Sequence, residues 1–233
     1  MTLTILFDAD DTLWHNERFF RMTEARFAEF LADYAPPDTL AERLLEAEKR
    51  NLGRYGFGIK GFVLSMIECA LDVTENRAPG HVIRAIVEAG HEMLEHPIEL
   101  LDGVAGAIEH LQADHPLLMV TKGDLLDQER KLAQSGLGEV FDGVEIVSAK
   151  EASVYVEIFR RRDIAPDRAV MIGNSVKSDI VPPLDAGAWA IHIPHGQTWA
   201  IEAAPLPSDH PRFFEIESMR DLAATISRIE KQM

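Results

Sequence analysis

Three carboxylates fall within four positions, Asp8, Asp10 and Asp11, directly after the apolar run Leu3-Thr4-Ile5-Leu6-Phe7. Negative charges crowded this closely raise one another's pKa. A divalent cation removes that penalty. Mg2+ suits these residue types, because it takes oxygen ligands and binds through one or two carboxylates plus substrate phosphate. Asp8 and Asp10 are separated only by the small Ala9, so a turn here lets both face one crevice. Taken by itself, the stretch also reads as a plain strand-to-loop turn, where Asp is a common cap.

Three further groups carry chemistry-bearing side chains. Thr121 lies in Val120-Thr121-Lys122-Gly123-Asp124, Lys150 in Ser148-Ala149-Lys150, and Asn174 in Gly173-Asn174-Ser175, with Asp179 a turn later. A carboxylate nucleophile, an acid/base, a hydroxyl, an ammonium and metal ligands match phosphoryl transfer through an aspartyl-phosphate. In that chemistry Asp8 attacks phosphorus. Asp10 protonates the leaving alcohol and then activates water, and its backbone carbonyl is a further metal ligand. The Thr121 hydroxyl and the N–H groups near Lys122 and Gly123 hold phosphate at a helix N-terminus. Lys150 neutralises the nucleophile, with Lys122 and Lys177 as rival lysines. Asn174 and Asp179 complete or support the metal site. Each weaker group has a bland alternative: an N-cap for Thr121, a turn for 173–175, a surface charge for Asp179.

These groups need elements that bring them to one edge. The run 3–7 reads as a buried parallel strand. Helical spacing follows over 16–34, with Phe27, Phe30, Leu31 and Tyr34 on one face, and Pro36-Pro37 stops it. Asp38 caps a second helix carrying Leu40, Leu44 and Leu45. Glycines 53, 56, 58 and 61 mark a loop. A third helix carries Phe62, Met66 and Ala70, and Pro79-Gly80 opens a fourth with Val82, Ile86 and Leu94. From residue 97 helices alternate with strands at 116–121, near 147, at 169–173, at 188–193 and near 213–216. Such alternation predicts a doubly wound, Rossmann-like parallel sheet of α/β class. Residues 1–15 and 97–233 then form the catalytic core, and 16–96 an all-helical cap inserted after the first strand. An insertion there would hang over the crevice as a lid.

Composition excludes several classes. The net charge of −16 over 233 residues is wrong for a nucleic-acid binder, which shows a basic stripe, and for attachment to anionic membranes. The single cysteine, Cys69, permits no internal disulfide and reads as a core residue. No signal segment and no apolar stretch of membrane-spanning length is visible, so a cytoplasmic soluble protein is expected. Oligomeric state is not readable.

At Asp8-Ala9-Asp10-Asp11-Thr12, Thr121 with Gly123, Lys150, and Gly173-Asn174-Ser175 with Asp179, the chain resembles the haloacid dehalogenase superfamily, most closely its helical-cap phosphatase branch. The order core, cap, core agrees over essentially the whole chain. The resemblance implies Asp8 as nucleophile, Asp10 as acid/base, Thr121 and Lys150 as phosphate stabilisers, and Mg2+ as cofactor. It departs at Asn174, where the family's fourth motif usually carries an acid. Hydrolytic dehalogenases of similar sequence lack the second carboxylate, so Asp10 favours phosphate chemistry.

The expected substrate is a small phosphorylated metabolite. Arg54 and Lys60, in the glycine-rich loop with Tyr55 and Phe57, are candidate substrate-binding cations; the alternative is a helix connector whose aromatics pack internally. His195, Gln197 and Trp199 are candidate lining residues or structural ones. A phosphomutase of the same architecture, and a binding or regulatory relative with weakened catalysis, remain as other functions.

Overall fold

Ile5 and Phe7 point to one side of the first strand and Leu6 to the other, and all three are fully buried. A strand with no polar face needs cover on both sides and partners on both edges. In the computed structural model, which describes residues 2–196 and 199–233, strand β1 (Thr4–Phe7) has both. It pairs in parallel with β2 (Leu117–Lys122) through Phe7↔Met119 and with β4 (Ala169–Gly173) through Phe7↔Ile172. With β3 (Gly143–Val147), β5 (Trp189–His192) and β6 (Phe213–Glu215) the sheet has six strands in the order β3-β2-β1-β4-β5-β6. The fold class is the expected α/β one. The chain winds outward from β1 to β3, then crosses to β4 on the other side of β1. That reversal opens a crevice at the carboxyl ends of β1 and β4, where such sheets bind ligands.

The chain divides into two units. The first runs to Glu17 and comprises also Ile98–Lys122 and the chain from Glu129 onward. It holds the sheet. On one face Ile5, Phe7, Trp14, Met119, Ile172 and Ile191 pack with helices α5 (Val104–Leu111) and α9 (Leu222–Glu230). On the other, Leu6, Leu118, Val120 and Met171 pack against Tyr155, Ile158 and Phe159 of α7 (Ala152–Arg161). Helix α6 (Leu125–Ser135) follows β2, and the short α8 (Val181–Asp185) precedes β5. The segments that leave and rejoin the sheet run side by side: Trp14 bridges Leu100 antiparallel, and His15 N donates to Glu99 O at 3.1 Å.

The second unit, Arg18–Pro97 with Gly123–Gln128, is helical. Helices α1 (Glu17–Phe30), α2 (Pro37–Tyr55), α3 (Ile59–Val73) and α4 (Gly80–Glu95) bury Phe27, Leu40, Leu44, Phe62, Met66 and Ile86 together. Two local expectations are corrected. Pro37 occupies the first position of α2, where its missing N–H costs nothing, so Asp38 lies inside the first turn rather than capping it. The glycine-rich loop shrinks to three residues, because packing carries α2 through Gly53 and α3 through Gly61. Of the four glycines in this stretch, Gly56 (φ 74°) and Gly58 (φ 110°) adopt backbone that demands glycine. No helix among the described residues is long and apolar enough to cross a membrane.

Candidate active site

Asp8 is the first residue beyond β1, and its N–H donates to Ile172 O at 2.8 Å, which ties it to the β4 edge. The chain then coils tightly: Leu13 N donates to Ala9 O at 2.8 Å, and Asp11 takes a left-handed φ of 61°. Asp tolerates this region better than most side chains. The coil brings Thr12 back over Asp8. Thr12 Oγ1 donates to Asp8 Oδ2 at 2.8 Å and lies 3.4 Å from Asn174 Oδ1.

The other Asp8 oxygen belongs to Lys150, whose Nζ lies 2.5 Å from Asp8 Oδ1 and 2.7 Å from Asp179 Oδ1. Asp179 is delivered by a π-helical turn, Val176–Ile180, and its Oδ2 accepts from Ser175 N at 3.0 Å. Gly173 makes room for it, since a Cβ there would stand 2.4 Å from Asp179 Cβ. Thus Asp8, Asn174, Lys150 and Asp179 are brought together at the strand ends.

This group carries surplus negative charge. Two buried carboxylates share one buried ammonium. Burial, then the charge of Asp179, push the Asp8 carboxyl up to about 7 despite Lys150. Burial alone would lower Lys150, but Asp179 and Asp8 raise it above the usual lysine range. A second cation is the chemical complement of such a site. Among the described residues, no three His, Cys, Asp or Glu side chains are arranged to hold a metal. The oxygens at hand are those of Asp8 and the Asn174 amide, with backbone carbonyl, water and phosphate to complete the shell. That donor set fits Mg2+, which is reluctant to shed its waters, and it does not fit a softer metal that wants nitrogen or sulfur.

Asp10 has partners of its own. Its Oδ1 accepts from Trp14 Nε1 at 2.8 Å, and Lys131 Nζ donates to Oδ1 at 3.0 Å and Oδ2 at 3.1 Å. Asp11, given no role on sequence grounds, caps the entry to α1 by accepting from Asn16 N and Glu17 N at 2.9 Å each. His195 Nε2 stands 3.7 Å from Asp11 Oδ1. Gln197 lies outside the described residues, and Trp199 immediately precedes a helical turn, Ala200–Glu202.

Thr121 is buried at the end of β2, beside Ile146 of β3. Lys122 does not point its ammonium at open space: Nζ donates to Glu202 Oε1 at 2.5 Å and Ser178 Oγ at 2.7 Å. Glu202 also accepts from Ser175 Oγ at 2.6 Å and Ser178 Oγ at 2.5 Å. Burial works against its charge, but Lys122 and the two hydroxyls bring Glu202 below the usual glutamate range. Gly123 is in the segment grouped with the helical unit, its backbone at φ 144°. In that unit Lys60 Nζ donates to both oxygens of Asp124, at 2.9 and 3.0 Å, and Arg54 lies in the last turn of α2.

Thr12, Lys131 and Glu202 are site residues that sequence reasoning missed. Thr12 had a signal, four residues after Asp8, the spacing of one helical turn. Lys131 and Glu202 had none: each is a charged residue in a segment that reads as surface.

Comparison with known proteins adds independent findings. The family model described as haloacid dehalogenase-like hydrolase matches residues 2–187. A solved haloacid dehalogenase-like family hydrolase from Xanthomonas campestris is 38% identical, covering 99% of this chain and 93% of its own, with a TM-score of 0.89. A Bacillus subtilis protein solved with magnesium, YfnB, assigned as a HAD hydrolase, shares the fold at TM-score 0.67 and 20% identity, over 97% and 98% of the two chains. Among curated relatives, a glyceraldehyde 3-phosphate phosphatase of Methanopyrus kandleri is 24% identical over 99% of this chain and 100% of its own.

Proposed function

Because this chain belongs to the haloacid dehalogenase-like hydrolases, we propose that it is a Mg2+-dependent phosphatase that hydrolyses a small phosphorylated metabolite through an aspartyl-phosphate on Asp8. The observation that carries this reading is the state of Asp8. Both its oxygens are oriented, by Thr12 and by Lys150, and the charge around it is left uncompensated.

The residues divide the work as follows. Thr12 and Lys150 hold the Asp8 carboxylate in one orientation for attack on phosphorus. Lys150 offsets charge on the nucleophile and on the phosphoryl oxygens, and Asp179 keeps Lys150 in place. Thr121 offers a hydroxyl to phosphate. Asp10 gives a proton to the departing alkoxide and then takes one from the water that cleaves the phospho-Asp8 bond. Asp8, the Asp10 carbonyl and Asn174 would hold Mg2+, with Asp179 in support through Lys150 and Ser175. When bound, Mg2+ supplies the missing positive charge and polarises phosphoryl oxygen. A carbon–halogen bond breaks without any proton for the leaving halide, so the placed Asp10 carboxylate favours phosphate esters over haloacids.

The substrate is proposed from chemistry and kinship together. The M. kandleri relative is named for glyceraldehyde 3-phosphate, so triose phosphates are the first natural substrates to try. Phosphate release from an aryl phosphate, with and without Mg2+, tests the activity. Release should require the metal and vanish with a chelator. No release above background across a metal series overturns the phosphatase reading.

A further inference from the structure

Lys131 is a buried cation that the reaction, as assigned above, does not use. It lies on α6, 5% exposed, and reaches the first catalytic loop from 121 positions away in sequence. Its ammonium spends three donors there, on Asp10 Oδ1, Asp10 Oδ2 and Asn16 Oδ1, at 3.0, 3.1 and 2.8 Å. A buried ammonium is tolerated only when paired. Asp10 is a carboxylate partner of that charge, so swinging Asp10 off Lys131 gives up both of these contacts. The indole of Trp14, fully buried, adds a rigid donor to Asp10 Oδ1 at 2.8 Å. Two donors from different elements, one charged and one stiff, triangulate the carboxylate.

We propose that Lys131 is a positioning residue for Asp10, fixing the acid/base carboxylate relative to the leaving-group oxygen. The proposal rests on the phosphatase reading. The position of Asp10 is otherwise weakly determined. It lies past the end of β1, in the tight coil just before Asp11 turns left-handed, and a carboxylate on a two-bond stem has several rotamers. Proton transfer in the transition state requires hydrogen-bond reach to the leaving oxygen, so a misplaced carboxylate loses it. Asn16 extends the tie. Its side chain receives Lys131, and its N–H donates to Asp11. The loop from Asp10 to Asn16 is therefore stitched to α6 at both ends.

The test uses leaving groups. A 4-nitrophenolate departs without a proton, whereas an alkoxide needs one. Measured as kcat/KM, which reports transfer to Asp8, K131M should lose about 10–100-fold more activity on alkyl phosphates than on 4-nitrophenyl phosphate, part of the typical general-acid contribution. K131R, which can still donate twice to the carboxylate, should recover much of the difference. Combined with D10N, K131M should add no further selectivity. An equal loss on all esters, or none, overturns the proposal. A crystal structure of K131M gives a readout independent of turnover: the Asp10 carboxylate should take a new rotamer while Asp8 and Asp179 stay. An unmoved Asp10 refutes the positioning role whatever the enzyme hydrolyses. If K131M does not fold, K131R and K131Q carry the same comparison. Silence of the wild-type enzyme on every ester refutes the phosphatase reading instead, and the rotamer still decides Lys131.

Discussion

The ammonium of Lys150 lies 2.7 Å from Asp179 Oδ1, and both side chains are 1% exposed. Lys150, which also meets Asp8, is therefore itself held from behind by the Asp179 carboxylate. This back pair makes Lys150 a structural element as well as the proposed partner of the nucleophile.

Lys150→Met should consequently unfold the protein more easily as well as silence it. Two buried carboxylates would lose their shared cation. Breaking a buried pair from one side costs about 3–5 kcal/mol. Urea unfolding followed by circular dichroism measures it, and a loss under about 1 kcal/mol, the ceiling for exposed pairs, would mean the pair is more hydrated than its burial suggests.

Asp8→Asn should act in opposite senses on activity and stability. Loss of the nucleophile lowers kcat by roughly a thousandfold or more. The variant leaves Lys150 paired with Asp179 and removes the surplus charge. The folded-state pKa of Asp8, about 7 against the ordinary 3.8, gives the sign. An acid raised on folding favours the native state at low pH and disfavours it once ionised. Its contribution falls as pH rises from about 4 through 7. At pH 8 and without metal, the Asn variant should melt above the wild type by a few degrees, about 2–4 °C per kcal/mol for a chain of this size. A lower melting temperature would contradict the assigned charge balance.

Thr12→Val removes the donor to Asp8 Oδ2 while keeping the shape. A hydrogen bond to a charged group contributes about 1.5–3 kcal/mol, so kcat should fall about 10- to 100-fold. Thr12→Ser keeps the hydroxyl and should restore most of it. Equal rates for all three proteins would show that Lys150 alone orients the nucleophile.

Glu202 should give the protein an acid-sensitive clasp. Its carboxylate is stabilised in the fold by Lys122, Ser175 and Ser178. A glutamate lowered on folding adds stability above its ordinary pKa of 4.5 and loses it as pH falls through the lower folded value. Glu202→Gln should flatten that acid branch of the unfolding free energy against pH. An unchanged branch would place the acid sensitivity elsewhere. The burial of Lys122 lowers that lysine even beside Glu202, so the pair's gain resides in the glutamate, where three donors converge.

Much of this is legible in the amino-acid sequence. Ile5, Leu6 and Phe7 announced a strand buried on both faces, and the alternation after residue 97 announced a parallel sheet, because periodicity records which faces meet water. Placing Asp8, Thr121, Lys150 and Asn174 at strand ends followed from topology alone, since parallel strands present their carboxyl ends at one edge. The glycine-rich stretch misled. Packing of α2 and α3 outweighed the intrinsic cost of Gly53 and Gly61 in helices, which is only about 1 kcal/mol each.

Of the charge partnerships, only Lys150 with Asp8 is legible in the sequence. Lys122 ends β2, Lys131 lies on α6 and Lys150 follows β3, and as residue types the three are equivalent. The fold sends Lys150 to Asp8 and Asp179, Lys131 to Asp10, and Lys122 to Glu202. The sequence by itself determined the chemical inventory and the sheet edge that collects it, because side-chain type and hydrophobic period are local properties. Only the tertiary structure decided which ammonium answers which carboxylate. Those pairs join residues 29 to 142 positions apart, and their strength exists only where packing has removed the water between them.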